Sequence, residues 1–306
     1  MKICITPNSY ENAIKLLNNA DCLVLSLKNF SNRSNYYFSL EQIKEIVSFK
    51  KTTKIFVNLN SFIFENQINE LTNILIELSK LNIDKLFFND YAIAQIDYEN
   101  NLKLNLHYSS NTLVTSYHQF LFFIENNINS VSLPNELFIN EIKQIANNKP
   151  NNFELLIQTQ GFAFIMHSRW NLVSNFQKYV EDTNKEYDKN KVIFIKELNK
   201  VYPNLIIEDE YGTHMFSGYE LCCIKFLNQF KEMNIDYLLI DTYLNNDSNY
   251  DLQICSIYKK AMSDLNNLEL YFDEIQKITN NELSSGFIGG PLEIKHILKH
   301  EVKDGK

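Results

Sequence analysis

"FELLIQTQGFAFIMHSRW" occupies residues 153–170. It opens as an apolar run and ends in polar residues. It then passes Gly161, one of only seven glycines among 306 residues, and reaches Trp170, the single tryptophan. A short apolar run bounded by polar residues reads as a strand buried on both faces. Seven other runs share its character: "KICIT" (2–6), "CLVLSL" (22–27), "KIFVNL" (54–59), "DKLFFN" (84–89), "KLNLHY" (103–108), "SVSLP" (130–134) and "DYLLID" (236–241). Counting 153–160 as strand seven of eight therefore decides between an open sheet and a closed one.

Helical periodicity fills most of the gaps. "SYENAIKLLNNA" offers Ser9 as an N-cap. "SLEQIKEIVSFKK" offers Ser39, with Glu41 and Gln42 in the first turn. "NQINELTNILIELSKL", "LVTSYHQFLFFIENN", "ELFINEIKQIANN" and "SGYELCCIKFLNQFKEM" repeat apolar residues at helical spacing. In the last of these, Ser217 or Gly218 reads as the cap. The fourth crossover is short. Strands alternating with helices predict parallel βαβ units, and eight of them predict an α/β fold of the (β/α)8 TIM-like barrel type. The long gap after strand seven predicts an insertion over 161–217 at the C-terminal face. Its charged stretch "KYVEDTNKEYDKNK" reads as an exposed helix or loop. The expected division is a barrel domain over 1–248 and, over 249–306, a C-terminal helix with an irregular tail packed on the barrel.

Composition bounds the function. The chain is 45% hydrophobic and 13% aromatic, which suffices for a large core. Its formal net charge of −8 disfavours unaided binding to nucleic acid, because phosphates must be met by clustered Lys and Arg. No run of about 18 apolar residues predicts a membrane span. "MKICITPNSY" reads as a strand start and not a signal peptide, so a cytoplasmic protein without membrane contact is expected. Five cysteines with no CxxC spacing read as reduced, buried thiols.

A barrel of this type places its ligands at the C-terminal strand ends. The residues there are Arg33 after strand two, Asn58 and Asn60 on strand three, and His107 on strand five. Glu136 follows strand six, Gln160, Ser168 and Arg169 belong to strand seven, and Asp241 ends strand eight. Glu208 and His214 come from "EDEYGTHMFSGYEL" in the insertion. Arg33 and Arg169 could grip carboxylates through two parallel hydrogen bonds. The bland readings are a surface ion pair for each arginine, a helix-start acid for Glu136 and a core histidine for His107. Carboxylates beside His214 lack HExxH or similar metal spacing, so no metal is expected. Ser168 lies in no GxSxG elbow, which leaves a hydrolase triad unsupported.

"GFAFIMHSRWNLVSN" after a strand, then "YPNLIIEDEYGTHMFSGYELCCIKFLNQFKEMNIDYLLID", resembles peptidase family U32. "KIFVNLNSF", "LHYSSNTLVTSY" and "SLPNEL" fit the same pattern in the same order, so the likeness runs over about residues 1–245. The family takes its name from collagenase-like proteolysis. The resemblance is to its short bacterial branch, which works beside a longer relative in 5-hydroxylation of the tRNA wobble uridine. It implies a hetero-oligomer with a longer paralogue, tRNA bound through that complex, and prephenate as a co-substrate. Several members carry an iron–sulfur cluster on cysteines, two of which flank the Ser-Arg motif. Here the matching positions are Ala163 and Trp170, neither of which can ligate iron. No bound cofactor is therefore expected. The family's usual residues are also replaced at Asn135, Leu239 and Thr242. The resemblance leaves open a U32-type endopeptidase and a non-catalytic scaffold subunit.

Overall fold

The computed structural model describes residues 1–180, 189, 191–198 and 201–290. The first half alternates strand and helix: β1 (Lys2–Ile5), α1 (Tyr10–Leu16), β2 (Cys22–Ser26), α2 (Leu40–Phe49), β3 (Lys54–Leu59) and α3 (Ile68–Ser79). It continues through β4 (Lys85–Phe88), α4 (Ala92–Asn100), β5 (Leu106–Tyr108), α5 (Gln119–Glu125), β6 (Ser130–Ser132), α6 (Ile139–Asn147) and β7 (Glu154–Ser168). After β7 come α7 (Leu172–Tyr179), β8 (Ile193–Ile195), β9 (Asn204–Asp209), β10 (Gly212–Cys222), α8 (Leu227–Glu232) and β11 (Tyr237–Ile240). The described chain ends with α9 (Tyr250–Ser263), α10 (Leu268–Ile278) and β12 (Leu283–Ser284).

β1 to β7 pair in sequence order, all parallel, and β11 closes the ring by pairing with both β1 and β7. This is the closed eight-stranded parallel barrel expected from the eight apolar runs. Side-chain alternation splits each strand between two cores. Ile3, Ile5, Leu23, Leu25, Ile55, Val57, Leu155 and Ile157 face the helices and join the large outer core. Cys4, Cys22, Val24, Phe56, Phe87, Leu156 and Tyr237 fill the barrel interior. Two of the three cap predictions hold: Ser9 Oγ accepts from Asn12 N at 3.1 Å, and Ser39 and Gln42 form a reciprocal capping box.

Two details differ from the sequence reading and two add to it. The short fourth crossover carries α4, whose buried residues are Ile93 and Ile96. Glu136 does not start a helix. It is exposed in a turn, and α6 begins at Ile139, where Glu141 accepts from Phe138 N at 2.8 Å. Residues 217–222 are strand, not helix. They belong to β10, because Glu220, Leu221 and Cys222 pair antiparallel with Phe162, Gly161 and Gln160. The insertion expected over 161–217 is built largely of strands. β7 runs beyond the barrel and pairs antiparallel with β10, which pairs with β9, which pairs with β8. Most of "KYVEDTNKEYDKNK" lies outside the described residues.

Gly161 marks the junction. Up to Gln160, β7 pairs with β11; from there its partner is β10. Its φ is +104°, and a Cβ there would sit 1.9 Å from the Asp241 carbonyl oxygen. Only glycine lets the strand leave the barrel so close to β11.

Candidate functional site at the barrel mouth

Inward-facing positions at the strand ends form a small cavity of about 60 Å³. Thr6, Ser26, Asn58, Gln158 and Asp241 contribute its polar floor, and Phe162, Phe164 and Phe216 lean over it. Arg33 and Asn60 complete the wall. Thr6 Oγ1 donates to Asp241 Oδ1 at 3.4 Å, and the Asp241 carboxylate also accepts from Tyr243 N at 3.1 Å. Burial raises the Asp241 carboxyl, while the Tyr243 amide and Arg33 oppose that rise.

Arg33 reaches this mouth from a left-handed backbone conformation, φ +56°, which is uncommon for a residue with a side chain. Its guanidinium lies 4.1 Å from the centre of the Phe164 ring. Burial pushes it down to about 10, partly countered by Asp241. It remains charged at neutral pH. Among the described residues no carboxylate forms an ion pair with it. The guanidinium lies against an aromatic face with the Asp241 carboxyl near it but not ion-paired to it, which leaves its donors available to an anion.

A second cavity, of about 190 Å³, lies beside the first. The same two loops wall both. Arg33 and Asn60 line the mouth, and their chain neighbours Asn32 and Ser61 line the outer chamber. Asn60 Oδ1 accepts from Asn32 N at 2.8 Å across this wall. The excursion supplies His167, Arg169, Glu210 and Tyr211 to the outer chamber. Arg169 is exposed and stacks on Phe64 at 4.1 Å. The two arginines placed at the strand ends by the sequence therefore face adjacent cavities.

Behind His167 runs a chain of hydrogen bonds. His167 Nδ1 meets His214 Nδ1 at 3.0 Å, and His214 Nε2 meets Asp209 Oδ1 at 3.1 Å. Burial alone would raise Asp209. The bond from His214 and the amides of Tyr211 and Gly212 outweigh it and hold the carboxyl below its usual range. Burial, His214 and the two guanidiniums push His167 down to about 4. A hydrogen bond donated from His214 Nε2 to Asp209 leaves His214 Nδ1 to accept from His167 Nδ1. That order leaves the His167 Nε2 lone pair free for the chamber.

The remaining candidates sit elsewhere. His107 is fully buried below the mouth, held between Ser130 Oγ at 2.6 Å and Ser132 Oγ at 2.8 Å, and stacked on Phe87. Gln160 is fully buried, and its side chain is taken by Glu220, Tyr250 and Tyr258. Glu208 accepts from Val173 N and Ser174 N at 3.0 and 3.2 Å, which anchors the start of α7. Ser168 Oγ accepts from Trp170 N within a turn. Glu136 lines neither cavity. Counting inward positions along the strands would have found Thr6, Ser26 and Gln158. No sequence signal marks Asn32 or Ser61, whose loops only the folded barrel brings together.

The positions that would carry cluster thiolates do not fit iron. Ala163 is buried, with its amide donating to Ser217 Oγ at 2.9 Å, and Trp170 is 71% exposed. All five cysteines are buried, and burial pushes the Cys222 and Cys255 thiols up to about 12. Such thiols are poor sources of thiolate. No helix among the described residues is long and apolar enough to cross a membrane.

Comparison with known proteins agrees with this picture. The family model for peptidase family U32 matches residues 8–298. The tRNA hydroxylation protein P2 of Bacillus subtilis is 25% identical over 268 residues, covering 85% of each chain. An uncharacterized protease of Methanocaldococcus jannaschii is 22% identical over 304 residues, covering 93% of this chain and 72% of its own. The 23S rRNA 5-hydroxycytidine synthase of Escherichia coli is 24% identical over 162 residues, half of this chain and 24% of its own. The family-model match along almost the whole chain places this protein in peptidase family U32.

Proposed function

We propose that the chain is a cytoplasmic subunit of a tRNA wobble-uridine 5-hydroxylation system. In this reading the barrel mouth takes one carboxylate of a small dicarboxylate, with prephenate as the candidate co-substrate. A longer family U32 paralogue supplies the redox chemistry, and tRNA joins through the complex. The observation that carries the reading is Arg33, a half-buried guanidinium stacked on Phe164 with no carboxylate ion-paired to it. The similarity to the tRNA hydroxylation protein P2 of Bacillus subtilis supports the choice of substrate. The mouth is small beside the roughly 300–1,000 Å³ of common small-molecule sites. It suits a carboxylate end, with the body of the ligand lying towards the opening.

Little supports the endopeptidase reading. Among the described residues no hydroxyl or thiol is hydrogen-bonded to His167. Among the described residues Ser168 Oγ is bonded to the Trp170 amide and to no side-chain base.

The test is mass spectrometry of wobble uridines in tRNA from a deletion strain. The added oxygen should disappear, return with the wild-type gene and fail to return with Arg33→Lys, since a point charge replaces a planar fork. Unchanged tRNA in the deletion strain would refute the reading. A second check is elemental: chain purified under anaerobic conditions should carry no stoichiometric iron. Stoichiometric iron would show that ligands other than residues 163 and 170 hold a cluster.

A further inference from the structure

The outer surface of the barrel between α4 and α5 is apolar where a surface helix is usually polar. α5 reads "QFLFFIE" and carries apolar residues on every side. Phe120 and Phe123 turn inward and are buried, while Leu121 and Phe122 face outward, 63% and 54% exposed. A helix that is apolar all round belongs inside a structure, with something packed on each face. α4 answers with Tyr91 at its cap, Ala94 and Tyr98, spaced to share one side, and Tyr98 is 78% exposed. Between the two helices lies a groove of about 300 Å³, lined by these residues and by Phe122, Asp97 and Glu125. Exposed aromatic side chains gathered in one groove mark a surface that another molecule covers.

Charge says which molecule. Every charged residue of α4 and α5 is acidic: Asp97, Glu99 and Glu125. Among the described residues none of the three is ion-paired to Lys or Arg. Burial raises the Asp97 carboxyl, and the Leu104 amide, donating to Oδ1 at 2.9 Å, opposes that rise. A nucleic acid or an anionic membrane would meet like charge here. So would a second copy in a two-fold contact, which sets each patch against itself. What fits is a protein segment with Lys or Arg among apolar residues. Its apolar part covers the rings, and its cation stands between the carboxylates and the aromatic faces. The face is also continuous with the mouth. Ser109 and Asn111 line the Arg33 cavity, and the same loop runs on through exposed Leu113 and Tyr117 into α5. A chain seated on α5 and this loop therefore borders the mouth.

We propose that the α4–α5 groove is the docking face for the partner subunit, which inserts a basic side chain flanked by apolar residues. The proposal rests on the reading of this chain as one subunit of a hydroxylation system, and it names the face by which the subunits join.

The experiment titrates the longer family U32 paralogue from the same genome into the full-length chain, wild type and variant, in a calorimeter. Wild type should bind. Phe122→Ala and Tyr98→Ala should each bind about tenfold or more weakly, as truncated aromatic anchors do. Glu125→Lys should bind about threefold or more weakly, and wild-type affinity should fall as salt is raised. All three side chains are exposed, so urea melts of the variants should match wild type. Leu121→benzoylphenylalanine supplies a readout that needs no loss of affinity. Its ultraviolet crosslink should capture a paralogue peptide with Lys or Arg between apolar residues. No binding by wild type, unchanged binding by both aromatic variants, or a crosslink to a second copy of this chain overturns the proposal. The two readings also separate. If the aromatic variants bind as wild type does while the deletion strain loses its tRNA oxygen, the face is wrong and the function stands. If they fail to bind while deletion leaves tRNA unchanged, the face stands and the function is wrong.

Discussion

The barrel strands and the excursion that leaves them at Gly161 treat polar groups in opposite ways. Inside the barrel, ionisable groups are enclosed and answered. Lys85 Nζ meets Glu154 at 2.5 Å, Tyr237 Oη donates to the same carboxylate at 2.9 Å, and His107 is held by two serines. The seam where the excursion meets the barrel is just as complete. Glu220 is 1% exposed and takes hydrogen bonds from Gln160, Tyr250, Thr279 and Asn281. At the mouth and the outer chamber the pattern reverses. Arg33 and Arg169 face aromatic rings, and Asn32 Oδ1 and Ser61 Oγ face nothing. Satisfied polar groups hold the fold, and the arginines at this face keep donors free for another molecule.

The comparison breaks first if the satisfied groups turn out not to matter. Glu220→Ala removes the carboxylate that Tyr250, Thr279 and Asn281 donate to, while Gln160 keeps Tyr250 Oη as an acceptor. It should cost about 3 kcal/mol, the range for breaking a buried charged network. Urea denaturation gives this directly. A loss below about 1 kcal/mol would show that the seam does not depend on the clasp.

A smaller effect comes from pH. Burial, then the charge on Lys85, push His107 well below its ordinary value, so the native state keeps it neutral. The unfolded chain takes up that proton near pH 6.5. Stability contributed by neutral His107 is therefore complete above that pH and declines as pH falls below it. The slope approaches about 1.4 kcal/mol per pH unit. His167, half-buried and pushed down to about 4, adds a weaker trend in the same direction. Between pH 6.5 and 5.5 His107 should account for a loss of about 1 kcal/mol in urea melts, and His107→Gln should lose about that much less than wild type. An unchanged slope in the variant would mean that the barrel interior is hydrated and not sealed.

The same contrast explains what the sequence disclosed. Barrel strands are buried on both faces, so they print as apolar runs, and eight runs gave the closed parallel ring. Strand-end positions such as Arg33, Asn58, Asn60 and Asp241 follow from that ring, and all four line one cavity. The excursion obeys no such rule. "SGYELCCIKF" carries helical spacing, yet pairing with β7 makes its first half a strand and buries Glu220 there. Gln160 and Glu208 look like ligand residues in the sequence, because nothing in it shows Tyr250 or the α7 amides arriving to occupy them. Asn32 and Ser61 are invisible for the converse reason: an unpaired atom is a property of the fold around it.

The central claim is that the unpaired guanidinium of Arg33 is the anion site of this face. Calorimetric titration of a small dicarboxylate into wild type, Arg33→Lys and Arg169→Lys tests it most directly. A charge-assisted bidentate contact contributes roughly 1.5–3 kcal/mol where water is excluded. Arg33→Lys should therefore bind on the order of tenfold to a hundredfold more weakly. Arg169→Lys, exposed and in the neighbouring chamber, should change affinity by less than about threefold. If wild type binds no dicarboxylate, or if Arg33→Lys binds as tightly as wild type, the claim is contradicted.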